Sequence, residues 1–511
     1  MNIVKAAFTV GSFTALSRIT GFLRDLLIAF MLGAGVAADA FFVSFKLANF
    51  LRRLFAEGAF NAGFVPLFSR TLEGEGEEPA RRFAEEALAV MSTVLLVTVL
   101  LVEIFMPAFV RLIAHGFEPD GERFRLAVEL SRITFPYLMM ISLAALFSGI
   151  LNAIGRFAAA AFAPVLLNLV LISALLLSGM HPDGPAHALA WGVAVAGVLQ
   201  LTWVVMAARR NGMALALRPP SLTPAIRRLF ALILPGAVGA GVYQINLIID
   251  IWFASGLAAG SISWLFYADR LNQLPLGIIG IAIGTALLPM LSRQLRAGQN
   301  EAAMATQNRS IELALLLTLP ATAALVAIGH TLIAALFERG AFTASDTAMT
   351  AAALMAFATG LPAYVLIKVL APGFFAREDT RTPVKIAVVC LVVNIVLITL
   401  LIGSLEHVGI ALATSISNWV NVLLLGWFLY REGHFRPTPR LVRRIAGMCA
   451  ATFVMAVLLL VLDRLLHGWS PIPAIAALVV AGAASYVLAV QFAGGTDLRE
   501  LKSMLARRRG S

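Results

Sequence analysis

Four charged residues stand out in a stretch of the chain that is otherwise apolar enough to cross a membrane. The stretch reads DAFFVSFKLANFLRRLFAEGAF and contains Asp39, Lys46, Arg53 and Glu57. At about 100° per residue, their angular positions on a helix are about 0°, 340°, 320° and 0°, so the four side chains share one face. A charge at the centre of a bilayer costs about 3 kcal/mol or more unless it faces protein or water. The pattern therefore predicts that this face borders a cavity or an internal polar network.

Cations outnumber acids among the charges within the predicted membrane segments. The cations are Arg18, Arg24, Lys46, Arg52, Arg53, Arg270 and Lys368, and the central acids are Asp25, Asp39, Glu57, Asp250 and Asp269. Arginine suits phosphate because its planar guanidinium makes two parallel charge-assisted hydrogen bonds. The excess favours a cationic cavity for an anionic cargo, most simply a phosphate or a diphosphate, with Asp250 and Asp269 in structural roles. The alternative is that Arg–Asp pairs join the helices while the other cations reach the membrane surface.

The chain lacks the short motifs of common enzymatic sites. No GxxxxGK[ST] loop is present for ATP hydrolysis, and no HExxH or paired CxxC motif offers a metal site. The seven histidines are scattered, and none lies in a plausible arrangement with a nucleophile. We therefore expect no catalytic residue, no metal site and no required cofactor.

The composition is that of a polytopic membrane protein. Hydrophobic residues make up 60% of the chain and charged residues 13%, which excludes an ordinary soluble globular protein. The apolar stretches predict an all-α fold with about fourteen transmembrane helices. Their approximate limits, set by hydropathy, are about 6–31, 37–69, 85–113, 126–153, 160–180, 186–208, 229–256, 261–291, 310–337, 347–376, 384–403, 408–430, 442–466 and 471–493. Cys390 and Cys449 fall in apolar helices, so no disulfide is expected.

The net charge of +11 arises mainly from basic residues in alternate loops. One set of loops contains Arg81, Arg82, Arg209, Arg210, Arg227, Arg228, Arg443 and Arg444, whereas the other set contains few cations, among them Arg123, Arg125 and Arg132. Because basic loops stay on the cytoplasmic side, both termini are predicted to be cytoplasmic. This pattern is typical of membrane topology, and we expect no nucleic-acid partner.

The two halves of the chain resemble each other. PLFSR at 66–70 matches PMLSR at 289–293, and NLVLI at 168–172 matches NIVLI at 394–398, in the same order at corresponding helices. Six helices per half would give both halves the same orientation, with a pseudo-twofold axis along the membrane normal. We therefore predict an N-terminal lobe at 1–215, a C-terminal lobe at 216–435, and a final region at 436–511 with two further helices and a basic tail.

Several segments resemble one known family. They are DAFFVSFKLANFLRRLFAEGAFNAGFVP, FPYLMMISL, SISWLFYADRL, GTALLPMLS and VLAPGFFAREDTRTPVKIA. Together they are similar to the MurJ/MviN family of lipid II flippases, in the multidrug/oligosaccharidyl-lipid/polysaccharide exporter superfamily. The resemblance covers essentially the whole chain. It departs at Ala48, where the family often has proline, and at Gln273, where an acidic residue is common.

The resemblance implies a transporter, not an enzyme. It would move the undecaprenyl-diphosphate-linked disaccharide pentapeptide from the inner to the outer leaflet of the bacterial cytoplasmic membrane, for peptidoglycan assembly. The family's functional positions correspond here to Arg18, Arg24, Asp25, Asp39, Arg52, Arg53, Glu57, Ser263 and Arg270. Lys46 and Lys368 are not among these family positions. We include them in the expected substrate site because of their charge. The expected partners are lipid II, membrane lipids and cell-wall synthesis proteins, with the chain as a monomer.

The residues and the resemblance together predict alternating access around the cationic cavity. Membrane potential would reset the carrier, since moving one charge through the full field is worth about 2.3 kcal/mol per 100 mV. Coupling to a monovalent cation at Asp25 or Asp39 is the alternative. Other functions remain open at this point: export of another lipid-linked oligosaccharide, a multidrug antiporter of the same superfamily, an envelope scaffold, or a membrane transferase.

Overall fold

The computed structural model describes residues 3–52 and 59–496, and their regular structure is helical throughout. The helices of the first half are α1 (Ile3–Leu32), α2 (Val36–Arg52), α3 (Ala59–Gly74), α4 (Glu77–Ile104), α5 (Met106–Ile113), α6 (Glu122–Thr134), α7 (Tyr137–Ala153), α8 (Phe157–Leu176), α9 (Gly184–Arg210) and α10 (Pro224–Ala254). Those that follow are α11 (Ser261–Arg296), α12 (Asn300–Ala327), α13 (Gly329–Phe337), α14 (Ala344–Thr359), α15 (Leu361–Phe375), α16 (Arg381–Arg431), α17 (Pro439–Leu465) and α18 (Pro471–Phe492). The all-α prediction is confirmed.

Local sequence determines where several helices begin. Thr223 and Thr438 precede the prolines that open α10 and α17, and each threonine hydroxyl accepts a backbone hydrogen bond from the first turn. Proline suits this position because its missing N–H would have no partner inside the helix. At α14, Thr343 and Asp346 form a reciprocal capping box. These caps satisfy backbone donors that would otherwise be exposed at the helix ends.

The predicted number of spans is not confirmed, although helices occupy each predicted segment outside 53–58. Within the described ranges, nine segments are long and apolar enough to cross a membrane. One of them, α16, contains two helices merged across a break at Glu406, whose φ of 48° and ψ of −129° are not helical. The helices α1, α2 and α11, which hold most of the predicted site charges, are not among the nine. At 17 residues, α2 is too short for such a span, and Arg18, Arg24 and Asp25 interrupt the apolar sequence of α1.

The chain divides into two compact units. Unit 1 comprises residues 1–263 together with Arg339–Phe342, and unit 2 comprises 264–338 together with 343–511. Within unit 1, α1 packs on α8, α8 on α9, α2 on α6, and α10 on α3. The first helix of the predicted C-terminal lobe, α10, thus groups with unit 1. The predicted lobe boundaries at 215/216 and 435/436 concern a sequence duplication, and they stay a prediction.

A short loop far along the sequence belongs to unit 1. The backbone N–H of Ala341 donates to the carbonyl of Phe30 at 2.8 Å, which ties this loop to the end of α1. Gly33 has a φ of +64°, and a Cβ there would lie 2.3 Å from the Ala341 carbonyl oxygen. A glycine is required at position 33 for both reasons.

The last two helices of unit 2 are fastened to its other helices at several levels. The Asn308 amide donates to the Arg436 carbonyl at 3.0 Å, and the Tyr486 hydroxyl donates to the Leu316 carbonyl at 2.9 Å. On the same helix α12, the buried Glu312 pairs with Arg309 and with Arg444 of α17. Polar side chains in a membrane interior are stable when they find such partners. The bonds hold α17 and α18 against α12.

Candidate functional site

The first cluster of predicted site residues joins α1 to α8. Arg24 is 6% exposed and Asp25 2% exposed. The guanidinium of Arg24 donates through Nε and Nη2 to Oδ1 of Asp25, at 3.0 Å and 2.6 Å, and through Nη1 to Oδ1 of Asn168 at 2.8 Å. Its Cζ also lies 5.8 Å from the ring centroid of Phe45 on α2. Arg24 is therefore held in one orientation by groups from three helices.

Asn168 was not anticipated as a site residue, and it connects the cluster to the backbone of α1. Its side-chain amide donates to the Ser17 carbonyl at 2.9 Å and to the Thr20 hydroxyl at 3.2 Å, while its oxygen accepts from Arg24. A Cβ on Gly21 would lie 3.3 Å from this amide, so the two helices are in close contact. The NLVLI repeat includes Asn168, but the repeat alone does not indicate its partner.

Asp39 forms the second cluster, with Ser263. The Asp39 side chain is fully buried, and its carboxylate accepts from the backbone N–H of Gly260 at 2.8 Å and of Ser263 at 2.9 Å. The Ser263 hydroxyl adds a third bond of 2.6 Å. The first N–H groups of a helix have no intrahelical partner, and an anion there is stabilised. Asp39 therefore caps the first turn of α11 from a different helix.

Arg123 belongs to the Asp39 cluster, although the sequence placed it among outer-loop cations. Its Nη1 lies 3.8 Å from Oδ2 of Asp39, and both terminal nitrogens donate to the Leu257 carbonyl at 3.2 Å. Its Cζ lies 4.9 Å from the ring centroid of Phe117. No local pattern marks Arg123, because the Leu257 partner lies 134 positions away in the chain. Its position depends on the packing of α6 against α2.

The remaining predicted residues of unit 1 are more dispersed. Arg18 is exposed on α1, Lys46 is half-buried on α2, and Arg52 is the last residue of α2. Arg53 and Glu57 lie outside the described residues. The predicted charged stripe is thus described only at Asp39 and Lys46. Ala48, where the family often has proline, is buried within the continuous α2.

Arg270 and Lys368 lie in unit 2. The Cζ of Arg270 lies 4.7 Å from the ring centroid of Phe266, one turn earlier on α11, and such a contact contributes about 0.5–2 kcal/mol. Lys368 is exposed on α15, and a Cβ on Gly280 would lie 3.0 Å from its Cδ. Gln273, the other departure from the family pattern, donates its amide to the Asp269 carboxylate. The substrate-binding role of all these residues stays a prediction.

Long apolar helices that bury guanidinium–carboxylate pairs define the class as a polytopic α-helical membrane protein. The chain's fold is shared with an inward-facing multidrug resistance MATE family transporter of the MOP superfamily, at a TM-score of 0.70 and 15% identity over 84% of this chain and 98% of that one. At that identity the likeness concerns the fold alone.

The particular family follows from closer matches. The family model "Lipid II flippase MurJ" matches residues 28–480, and the chain belongs to that family. A "Probable lipid II flippase MurJ" of Rhizobium tropici is 44% identical over 524 residues, covering 100% of this chain and 98% of the relative. The corresponding protein of Rhizobium meliloti (strain 1021) is 44% identical over 99% of this chain and 97% of its own length. A solved "Lipid II flippase MurJ, inward closed conformation" has a TM-score of 0.80 and 26% identity, covering 94% of this chain and 98% of that one.

Proposed function

We propose that this protein flips lipid II from the inner to the outer leaflet of the bacterial cytoplasmic membrane, for peptidoglycan assembly. The observation that carries the proposal is the match along the full chain to relatives named lipid II flippases. The buried, oriented guanidinium of Arg24 supports it, because a diphosphate requires such a donor. The protein acts as a transporter without covalent chemistry, and as a monomer with both termini in the cytoplasm.

The diphosphate of the cargo binds to the predicted cations. Arg24 supplies the donor that is held in one orientation. Arg18, Lys46, Arg270 and Lys368 are the other described cations that we expect to contribute. Asp25 keeps the charge of Arg24 balanced until the cargo arrives, and the polyprenyl chain stays in lipid. An anion entering the site exchanges carboxylate–guanidinium bonds for phosphate–guanidinium bonds, so the cation does not lose its partners.

Transport proceeds by alternating access, in which the cavity opens to one side of the membrane at a time. The membrane potential resets the empty, net-positive carrier toward the cytoplasm. Dependence on sodium or protons without dependence on the potential would instead favour a cation site at Asp25 or Asp39.

Depletion of the protein in a host that has no other flippase tests the function. Lipid II should accumulate in the inner leaflet and become inaccessible to an externally added label, and re-expression should restore labelling. Purified protein in vesicles should expose fluorescent lipid II to an external quencher. Unchanged labelling on depletion, together with no activity in vesicles, would refute the proposal.

The same experiments separate the alternatives. A flippase for another lipid-linked oligosaccharide would accumulate that lipid in the inner leaflet and leave lipid II labelling unchanged. A multidrug antiporter, which the MATE-like fold allows, would export cationic drugs. A site with Arg24 as its most oriented polar group disfavours cationic drugs, because like charges repel.

A further inference from the structure

Residues 213–223, which we call the strap, connect α9 to α10 without forming a helix. The strap begins where the backbone N–H of Met213 donates to the Ala208 carbonyl at 3.0 Å, and Met213 is 4% exposed. It ends at Thr223, which caps α10. Both ends are therefore fixed to helices, and the conformation of the part between them depends on other contacts.

Two adjacent glutamates of α4 hold that middle part. Glu85 is 3% exposed, and its two oxygens accept from the backbone N–H of Ala216 at 3.0 Å and from Nε of Arg218 at 2.5 Å. Glu86 accepts from the Thr223 hydroxyl at 2.7 Å. Charge-assisted bonds of this kind are about twice as strong as neutral ones. The clasp, formed by Glu85 and Glu86, fixes the polar side of the strap against α4.

The other side of the strap is apolar and uncovered within unit 1. Leu217 is 83% exposed and Leu222 is 60% exposed. Burying a leucine side chain away from water is favourable, so two exposed leucines on a fixed segment imply an apolar environment around them. The apolar exposure continues on both neighbouring helices, at Met206 of α9 and at Phe230 of α10.

Four exposed arginines flank the strap. Arg209 and Arg210 end α9, and Arg227 and Arg228 lie in the first turns of α10. The two glutamates of the clasp are already bound to the strap. They therefore do not pair with these four arginines. Each cation near an anionic leaflet strengthens the attachment to the membrane. Leucines between arginines are typical of segments that lie at the boundary between headgroups and acyl chains.

We propose that the strap is a membrane-surface anchor that binds the anionic phospholipid layer beside α9 and α10. Leu217 and Leu222 insert into the boundary between headgroups and acyl chains, and the four arginines bind lipid phosphates. The clasp keeps the leucines turned outward. The connection between α9 and α10 is thereby attached to the lipid surface as well as to α4. This role is independent of the cargo.

An environment-sensitive fluorophore on single cysteines tests the anchor in the full chain. The two native cysteines are removed first, Cys390 by replacement with alanine and Cys449 by replacement with serine. Leu217→Cys, Leu222→Cys and the control Ser221→Cys are then labelled one at a time. The vesicles contain phosphatidylcholine with or without phosphatidylglycerol, and a headgroup-proximal spin-labelled lipid serves as quencher. We expect blue-shifted emission and lipid quenching at 217 and 222, with water-like emission and iodide quenching at 221.

Two sets of variants test the parts of the proposal. Arg227→Gln with Arg228→Gln should abolish the increase in lipid quenching at 217 that phosphatidylglycerol produces. Glu85→Gln with Glu86→Gln should remove the difference between positions 217 and 221, and hydrogen exchange at 214–222 should become faster. Equal iodide quenching at 217 and 221 in both vesicle types would overturn the anchor. Suppose instead that lipid quenching at 217 is the same with and without phosphatidylglycerol, and the same in the arginine variant. That result would overturn the assignment of an anionic layer.

Discussion

Asp39 of α2 and Ser263 in the first turn of α11 are joined by two hydrogen bonds to a single carboxylate oxygen, one from the backbone N–H and one from the hydroxyl. The second oxygen accepts from Gly260 and lies 3.8 Å from Arg123. The carboxylate thus replaces the partners that the start of a helix lacks. A charge that would be costly in an apolar stretch is therefore stabilised by three hydrogen bonds within unit 1.

Asp39→Asn should destabilise the protein more than Ser263→Ala. In asparagine, one carboxylate oxygen is replaced by an NH₂ group, which would face a backbone N–H that now donates to Asp39. That buried N–H would lose its acceptor, at a cost of about 1–3 kcal/mol. Ser263→Ala removes one bond of three and should cost about 1 kcal/mol. Thermal unfolding of purified protein measures both, with Asp183→Asn as the control because that side chain is 62% exposed. An Asp39→Asn midpoint at or above that of Ser263→Ala would contradict the capping role.

Arg24→Lys should reduce lipid II flipping by about tenfold or more, almost as much as Arg24→Ala. A lysine ammonium is a point charge on a flexible stem and does not reproduce the fork that contacts Asp25 and Asn168 together. The matched control is Arg81→Lys, since Arg81 pairs with Glu78 at an exposed site and should tolerate the exchange. Flipping in vesicles at equal protein content is the measurement. Full activity of Arg24→Lys would show that charge alone suffices.

Asn168 variants should separate the orientation of Arg24 from its charge. Asn168→Ala removes the Nη1 partner of Arg24 and both bonds to α1, so stability should fall by about 1–3 kcal/mol and flipping should fall with it. Asn168→Asp keeps an acceptor for Arg24 but loses the amide donors to Ser17 and Thr20 and adds a negative charge. Both the basal midpoint and the stabilisation by lipid II in thermal unfolding should therefore fall. Asn211→Ala, whose amide bonds only within its own helix end, is the control. Equal lipid II stabilisation in wild type and Asn168→Asp would remove Asn168 from the site.

The helices could be predicted from the sequence, and most of the side-chain contacts between them could not. The apolar runs indicate the helices and the charges within them, but they do not show which Arg–Asp pairs form, because adjacent helix residues such as Arg24 and Asp25 are not expected to face each other. The bond from Arg24 to Asn168 spans 144 positions, and that from Ser263 to Asp39 spans 224. Such bonds depend on which helices pack together, and a repetitive apolar sequence does not encode that locally. The family resemblance supplied Ser263, but neither it nor the residues indicated Arg123.

Glu406→Gly should stabilise the protein although it removes a side chain. Glu406 is exposed, and its φ of 48° and ψ of −129° lie in a region that favours glycine because a Cβ is crowded there. Relief of such strain is worth about 1–3 kcal/mol, and the greater freedom of glycine in the unfolded chain offsets about 0.5–1 kcal/mol of it. A net gain of about 1 kcal/mol should therefore raise the unfolding midpoint. Glu406→Ala is the matched control, because it removes the carboxylate near His407 but retains the Cβ. If the unfolding midpoint rises equally in both variants, the stabilisation comes from the loss of the charge. The backbone at this position would then not be strained.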